Sequence, residues 1–260
     1  MFAALKKYWV TARLCARQMS YFGLADLMGG YLLRLAQMAV MLMVWSALFH
    51  QGADMQGMTL NQMLRYTLLS SALQPLLDVR TPATAMLHSG ELLSPYQRPM
   101  PVFGQLIAQT VGGWAMGLLL YSLPCLVMGA LFGLSPIPDS PWFFLSLLLS
   151  MAQGFAVDFL FACLQIHLKS MEWTIHVIRG ALNALLTGAV IPFAALPWGI
   201  GEFLSLTPFG TMAGAPLSLF VSLDGASRLI PAQILWTAAL WPLAIWAFHR
   251  SRERMVSYGG

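Results

Sequence analysis

Six stretches of mostly apolar residues, at 31–50, 60–77, 102–133, 142–168, 173–195 and 229–248, constrain this chain more than any other feature. A helix of roughly 20 apolar residues crosses the 30 Å hydrocarbon layer of a bilayer, so each stretch reads as a membrane span. The third is long enough to be tilted or to include a short leading helix. Length alone would allow one or two soluble domains. Against that, 58% of the 260 residues are apolar, mean hydropathy is +0.69 and only 9% are charged, where a soluble domain carries about 25%. Fourteen basic and ten acidic side chains are too few to cover a water-facing globule of this size. The expected fold is therefore an all-α membrane protein with six transmembrane helices.

Lysine and arginine near span ends mark the cytoplasmic side. Lys6, Lys7, Arg13 and Arg17 precede the first span, Arg80 and Arg98 follow the second, Lys169 follows the fourth, and Arg250, Arg252 and Arg254 follow the sixth. The loops 51–59 and 134–141 hold Asp54 and Asp139 but no lysine or arginine. Both termini are thus expected inside. The net charge of +4 is scattered along these flanks with no dense patch, so no nucleic-acid partner is expected. Cys15, Cys125 and Cys163 imply no disulfide framework.

Residues 2–19 lack the uninterrupted apolar core of a signal peptide. Leu5, Trp9, Ala12, Ala16 and Met19 share one helical face and Lys6, Arg13 and Arg17 another, which suits a helix lying among lipid headgroups or a simple positive anchor. Between the last two spans, Pro192, Pro197, Gly199, Gly201, Pro208, Gly210, Gly214 and Pro216 punctuate an apolar segment. It reads as two short re-entrant helices on the outer side, around 200–206 and 215–222, because irregular backbone at membrane depth must be packed in protein or line a cavity.

The chemistry of a soluble enzyme is not legible here. No GxxxxGK[ST] loop, HExxH, paired CxxC or GxSxG occurs, so any use of ATP falls to a partner. Cys163 and His167 share a helical face near Asp158 but offer no third ligand at clear spacing. Charges inside spans mark pathways or relays: Arg34 and Arg65 lie near span ends and can snorkel, whereas Asp158 and Arg179 lie deeper and are the pathway candidates. A proton-coupled carrier would offer several such acids, and a single one more often pairs with a hydroxyl, a backbone group or a basic neighbour. Gly113/Gly117 and Gly129/Gly133 allow close helix contact within the chain or between subunits. The inside segment 78–101 combines Met86, Leu87, Leu92, Leu93 and Tyr96 with Arg80, Glu91 and Arg98, which suits either docking of another protein or folding back on the membrane surface.

With the amino-terminal helix, the inside stretch SGELLSPYQRPMP at 89–101, IPFAALPW at 191–198 and TPFG at 207–210, the chain resembles the permease subunit of a type-2 ABC transporter of the exporter class. The resemblance implies paired six-span permeases, identical or paralogous, in a bacterial plasma (inner) membrane, standing on ABC ATPase subunits that bind ATP and magnesium, with no cofactor on this chain. It implies an elbow helix with its lead into the first span at 1–28 and a cytoplasmic coupling segment at 78–101. In that segment Arg80, Leu87, Gly90, Glu91, Leu92, Leu93 and Arg98 would meet the ATPase; Tyr96 stands where the family often has leucine or another apolar residue. Residues 196–228 would form the outer re-entrant segment, with Pro192, Pro197, Glu202, Pro208 and Phe209 at an outer gate. The cargo would be small or amphipathic. One rival reading is an ion- or proton-coupled carrier or channel using Asp158 and Arg179. A membrane-embedded enzyme around Asp158, His167, Glu172 and His176 is the other, though no nucleophile–base pair is legible.

Overall fold

A computed structural model describes residues 2–19, 24–52, 57–89, 93–168 and 172–258, and among them every regular element is helical. In chain order these are α1 (Phe2–Met19), α2 (Leu24–His50), α3 (Leu60–Ala72), α4 (Gln74–Leu77), α5 (Ala83–Ser89), α6 (Leu93–Tyr96), α7 (Val102–Gly117), α8 (Leu123–Leu131), α9 (Trp142–Leu168), α10 (Glu172–Leu186), α11 (Ile200–Ser205), α12 (Pro208–Phe220) and α13 (Leu229–Tyr258). A π-helical turn, Leu118–Ser122, joins α7 to α8. Pro124, two residues past it, lacks the N–H that would bond back one turn, and the backbone widens at that point instead of breaking.

Four helical stretches are long and apolar enough to cross a membrane: Met28–His50, Val102–Leu131, Trp142–Leu168 and Ala226–Ser251. They coincide with the first, third, fourth and sixth expected spans, and α13 continues well past residue 248. The stretches at 60–77 and 173–195 are not single helices. The former divides at Leu73 into α3 and α4, with Pro75 in the first turn of α4. The latter ends as helix at Leu186, and Gly188, at φ +71, turns the chain toward Pro192. The first outer helix falls where expected, as α11. The second begins earlier than 215, because Thr207 caps it by accepting from the Gly210 N–H and Pro208 occupies the first helical turn. Read as a breaker in the sequence, Pro208 starts the helix.

α9 is the central post. In its most apolar stretch 61% of residues are buried inside the chain, against 6% in α2, which therefore flanks the bundle and presents Leu32, Leu33, Val40 and Met43 outward. α13 runs beside α9 in the same direction: Ser146 Oγ donates to Gln233 Oε1 at 2.8 Å near one end, and Phe159 packs on Phe248 near the other. α7 runs against α9, with Phe103 edge-on to Phe159 and Trp114 tilted on Phe155. The α3–α4 pair follows α9, since Tyr66 clusters with Phe143 and Val79 fills the space beside Gly154. α10 runs back, pairing Arg179 with Asp158 and leading to Gly188, whose carbonyl accepts from Tyr66 Oη at 2.8 Å. α2 opposes α3, with Trp45 in the Tyr66 cluster and Tyr31 stacked on Tyr121.

α1 packs along the first half of α7. A Cβ on Gly112 would collide with the Ala12 carbonyl, and one on Gly104 would meet the Tyr8 ring at 2.6 Å. The small residues that permit close approach are thus Gly104, Ala108 and Gly112, at four-residue spacing. Of the glycines expected in this role, Gly129 admits Leu68, Gly113 lines a cavity, Gly117 has ordinary contacts and Gly133 has none.

α12 is 13 residues long, and its residues from Gly210 to Phe220 are all buried. Polar side chains hold it: Gln153 Nε2 donates to Thr211 Oγ1 at 3.0 Å, and Gln233 Nε2 donates to the Thr211 carbonyl at 3.1 Å. Pro216 cannot bond the Met212 carbonyl one turn back, and Ser150 Oγ of α9 donates to that carbonyl instead.

Candidate functional site

The densest polar cluster lies where α4 gives way to α5. Asp78 caps α4, and residues 79–82 lead into α5. This connection touches the middle of α9 and one face of α10, because Arg179 and Asn183 stand one turn apart on α10. Asp158 Oδ2 accepts from the Thr81 N–H at 2.9 Å and from the Thr81 hydroxyl, while Oδ1 accepts from Arg179 Nη1. Arg179 Nη2 donates to the Val79 carbonyl and to Asp78 Oδ1, the latter at 3.2 Å. Asn183 Nδ2 donates to the same Asp78 oxygen at 2.6 Å, and Arg80 Nε donates to Asp78 Oδ2 at 2.9 Å. The Asp158 and Arg179 side chains are each 2% exposed, Asp78 13% and Arg80 44%, so the network runs from the interior to a surface. The Phe161 ring lies 5.8 Å from the Arg179 guanidinium carbon.

Chemically, two carboxylates face two guanidiniums, while Arg179 Nε and Asn183 Oδ1 are buried without a hydrogen-bond partner. Removing one partner from a pair this deep leaves an uncompensated charge. The arrangement can fix three elements to one another; it presents no free nucleophile. Among the described residues no group of three His, Cys, Asp or Glu side chains is placed to hold a metal ion. His167 Nδ1 meets the Cys163 carbonyl at 2.9 Å.

The two pathway candidates, Asp158 and Arg179, are therefore an ion pair. Sequence reasoning missed Asp78, Thr81 and Asn183 as their partners; the one available signal was the four-residue spacing of Arg179 and Asn183. It also missed the clamp at the opposite end. Arg65 reaches the end of its helix and grips Asp139 at 2.7 and 2.9 Å, with further bonds to the carbonyls of Ser135 at 3.1 Å and Ile137 at 2.7 Å. Its guanidinium lies over Phe220, whose carbonyl accepts from the Asp139 N–H.

Of the expected ATPase-contact residues, Arg80 belongs to the network and Arg98 is exposed just beyond α6. Gly90, Glu91 and Leu92 lie outside the described residues, as do the side chains of Leu87 and Leu93. Met86 and Tyr96, read as suited to docking another protein or to folding back on the membrane surface, pack on the chain's own Phe155–Phe159 core. Gln105 Nε2 holds the turn after α6 by donating to the carbonyls of Pro95 and Met100, each at 2.8 Å. Of the expected gate residues, Pro192 and Glu202 line a cavity of about 430 Å³ with Asp224 and Arg228. Pro197 is exposed, Pro208 starts α12, and Phe209 packs against the cluster of Val157, Phe161, Ile175 and Met212.

No protein-family model matches this chain, and no curated protein matches it.

Proposed function

We propose that the chain is the membrane-spanning permease subunit of an ATP-driven ABC exporter, moving a small or amphipathic substrate. It would pair with a second permease, identical or paralogous, in a bacterial plasma membrane, while ATP and magnesium bind a partner ATPase. The observation that carries this reading is the tie between residues 78–81 and the bundle. A segment about to enter α5, on the side rich in arginine, is bonded at Asp78, Val79 and Thr81 to α9 and α10. A push on α5 from an ATPase would pass into two helices without slack.

The alternating directions of α2, α3–α4, α7–α8, α9, α10 and α13 support six crossings with both termini cytoplasmic. In this reading the second crossing, α3 with α4, is shielded by neighbours and needs no long apolar helix; its 18 residues from Leu60 to Leu77 rise about 27 Å. α1 would be the elbow helix, and the segment with α11 and α12 the outer re-entrant part. Pro208→Ala or Phe209→Ala would then alter export while leaving assembly intact.

The test is affinity purification of the tagged chain from membranes in mild detergent, followed by mass spectrometry and an ATPase assay of the eluate. A stoichiometric ATPase, lost on Leu93→Asp or Glu91→Arg, is expected; a lone, ATP-inert chain sinks the proposal. The buried Asp158–Arg179 pair also favours a second reading, a gradient-coupled carrier. That one expects proton- or ion-driven uptake by the purified chain in liposomes, abolished by Asp158→Asn.

A further inference from the structure

Arg34 is the only Asp, Glu, Lys or Arg in the span-length stretch Met28–His50. Its side chain is exposed and makes no hydrogen bond or ion pair with any described residue. Arg34 lies near the amino-terminal end of this stretch, where a guanidinium without a protein partner can reach an anionic group at the membrane surface or in a cavity.

Two cavities of about 650 Å³ each adjoin there, sharing Arg34 and Gln74. Each is of a size that holds a drug-sized ligand. The first also presents Gln18, Arg80, Gln109 and Asp78, whose carboxylate is turned to Arg80, Arg179 and Asn183; the Gln109 Oε1 is buried with no hydrogen-bond partner, and rotation of that amide offers either a donor or an acceptor. Arg80 is already engaged by Asp78, and Arg179 behind it by Asp78 and Asp158. Among the described residues three guanidiniums thus stand against two carboxylates, and Arg34 carries the charge that no described carboxylate meets.

The second cavity has a different character. Ala36, Met38, Val40 and Met41 form one wall. On the other, Thr67 donates to the Met63 carbonyl, Ser70 to the Ala189 carbonyl, and Ser71 shares a hydrogen bond with Tyr121, so these hydroxyls are engaged within the protein. A cavity with a spare positive charge therefore adjoins one with a flexible methionine wall.

We propose that this pair of cavities binds an amphiphile with an anionic headgroup, phosphate or carboxylate, which neutralises Arg34 while its alkyl tail lies along Met38 and Met41. The binding belongs to this chain alone and stands independently of any ATPase. The same chemistry is offered by an anionic phospholipid of the bilayer and by a single-chain anionic cargo.

Native mass spectrometry of the purified full chain in an uncharged detergent tests it, with phosphatidylglycerol, phosphatidylcholine and dodecyl phosphate as probes. At least one anionic probe should bind more tightly than phosphatidylcholine by about tenfold, the loss expected for one charge-assisted contact. Arg34→Gln should erase that preference, Arg34→Lys should retain most of it, and Arg228→Gln, in the other polar cavity, should leave it unchanged. Met41→Trp, which fills the second cavity and keeps the charge, should weaken long-chain phosphatidylglycerol but not its dihexanoyl form; this arm holds even if Arg34→Gln fails to fold. Phosphatidylglycerol that co-purifies with the wild type and not with Arg34→Gln identifies a resident lipid. Binding of dodecyl phosphate without phosphatidylglycerol identifies a single-chain ligand. Equal affinity for anionic and zwitterionic probes, or equal losses from Arg34→Gln and Arg228→Gln, overturns the proposal.

Discussion

Ser150, Met212 and Pro216 show how a single hydroxyl makes a proline tolerable inside a buried helix. Pro216 frees the Met212 carbonyl, and Ser150 of α9 donates to it. Ser150→Ala should therefore destabilise the chain by about 1–3 kcal/mol, the cost of one unsatisfied buried acceptor. In a Pro216→Ala background the restored N–H can bond that carbonyl, and the same substitution should cost far less. Melting temperatures of the four chains form the cycle; an equal cost of Ser150→Ala in both backgrounds would show that the hydroxyl acts otherwise. Asp158 follows the same logic with charge. Asp158→Asn should cost about 3–5 kcal/mol by leaving Arg179 buried and unpaired, and Asp158→Asn with Arg179→Gln should recover part of it. No recovery in the double variant would mean the ion pair is not what Asp158 contributes. Neither partnership was legible in the sequence. Ser150 and Met212 stand 62 positions apart, and Thr81 and Asp158 stand 77 apart.

Individual helices were more legible where apolarity and length coincide, as α9 shows by spanning the same residues, 142–168, that its apolar run covers. The stretches at 60–77 and 173–195 were read as unbroken helices because a run of apolar residues does not reveal where a helix breaks inside it. Proline and glycine do so only in context: Pro208 starts a helix, Pro216 lies within one and Pro75 opens a new one. The contact of α1 with α7 depends on Gly112, beside the Ala12 carbonyl. Gly112→Val should push α1 away from α7. Cys15 reports this, since burial raises its thiol pKa and the Arg98 charge partly lowers it. Because the thiolate is the reacting form, release of α1 should speed maleimide labelling of Cys15 at pH 7 in a Cys125→Ser, Cys163→Ser background. An unchanged labelling rate would show that α1 docks without that close approach.

At the scale of the molecule, Arg65 and Asp139 close one end of the bundle and the Asp158–Arg179 network lies toward the other. If six crossings place the Asp139 end outside, Ser135→Cys and Ser222→Cys should react with a membrane-impermeant maleimide in intact cells, and Ser94→Cys only after lysis. Labelling of all three from the same side would remove the six-crossing reading.

By itself the sequence determined that this chain partitions into a membrane and is built from helices, because too few charges are available to cover it and an apolar backbone in lipid must satisfy its hydrogen bonds internally. It also placed four span-length helices and singled out Asp158 and Arg179 as the deep charges. Only the tertiary structure decided that these two face each other across the 78–81 connection, that α12 is held by Gln153 and Gln233, and that Arg34 bonds none of the described side chains. The reason is physical: hydrophobicity acts residue by residue and is additive along the chain. A buried hydrogen bond or ion pair depends on distance and angle between groups far apart in sequence, and that geometry exists only once the helices have packed.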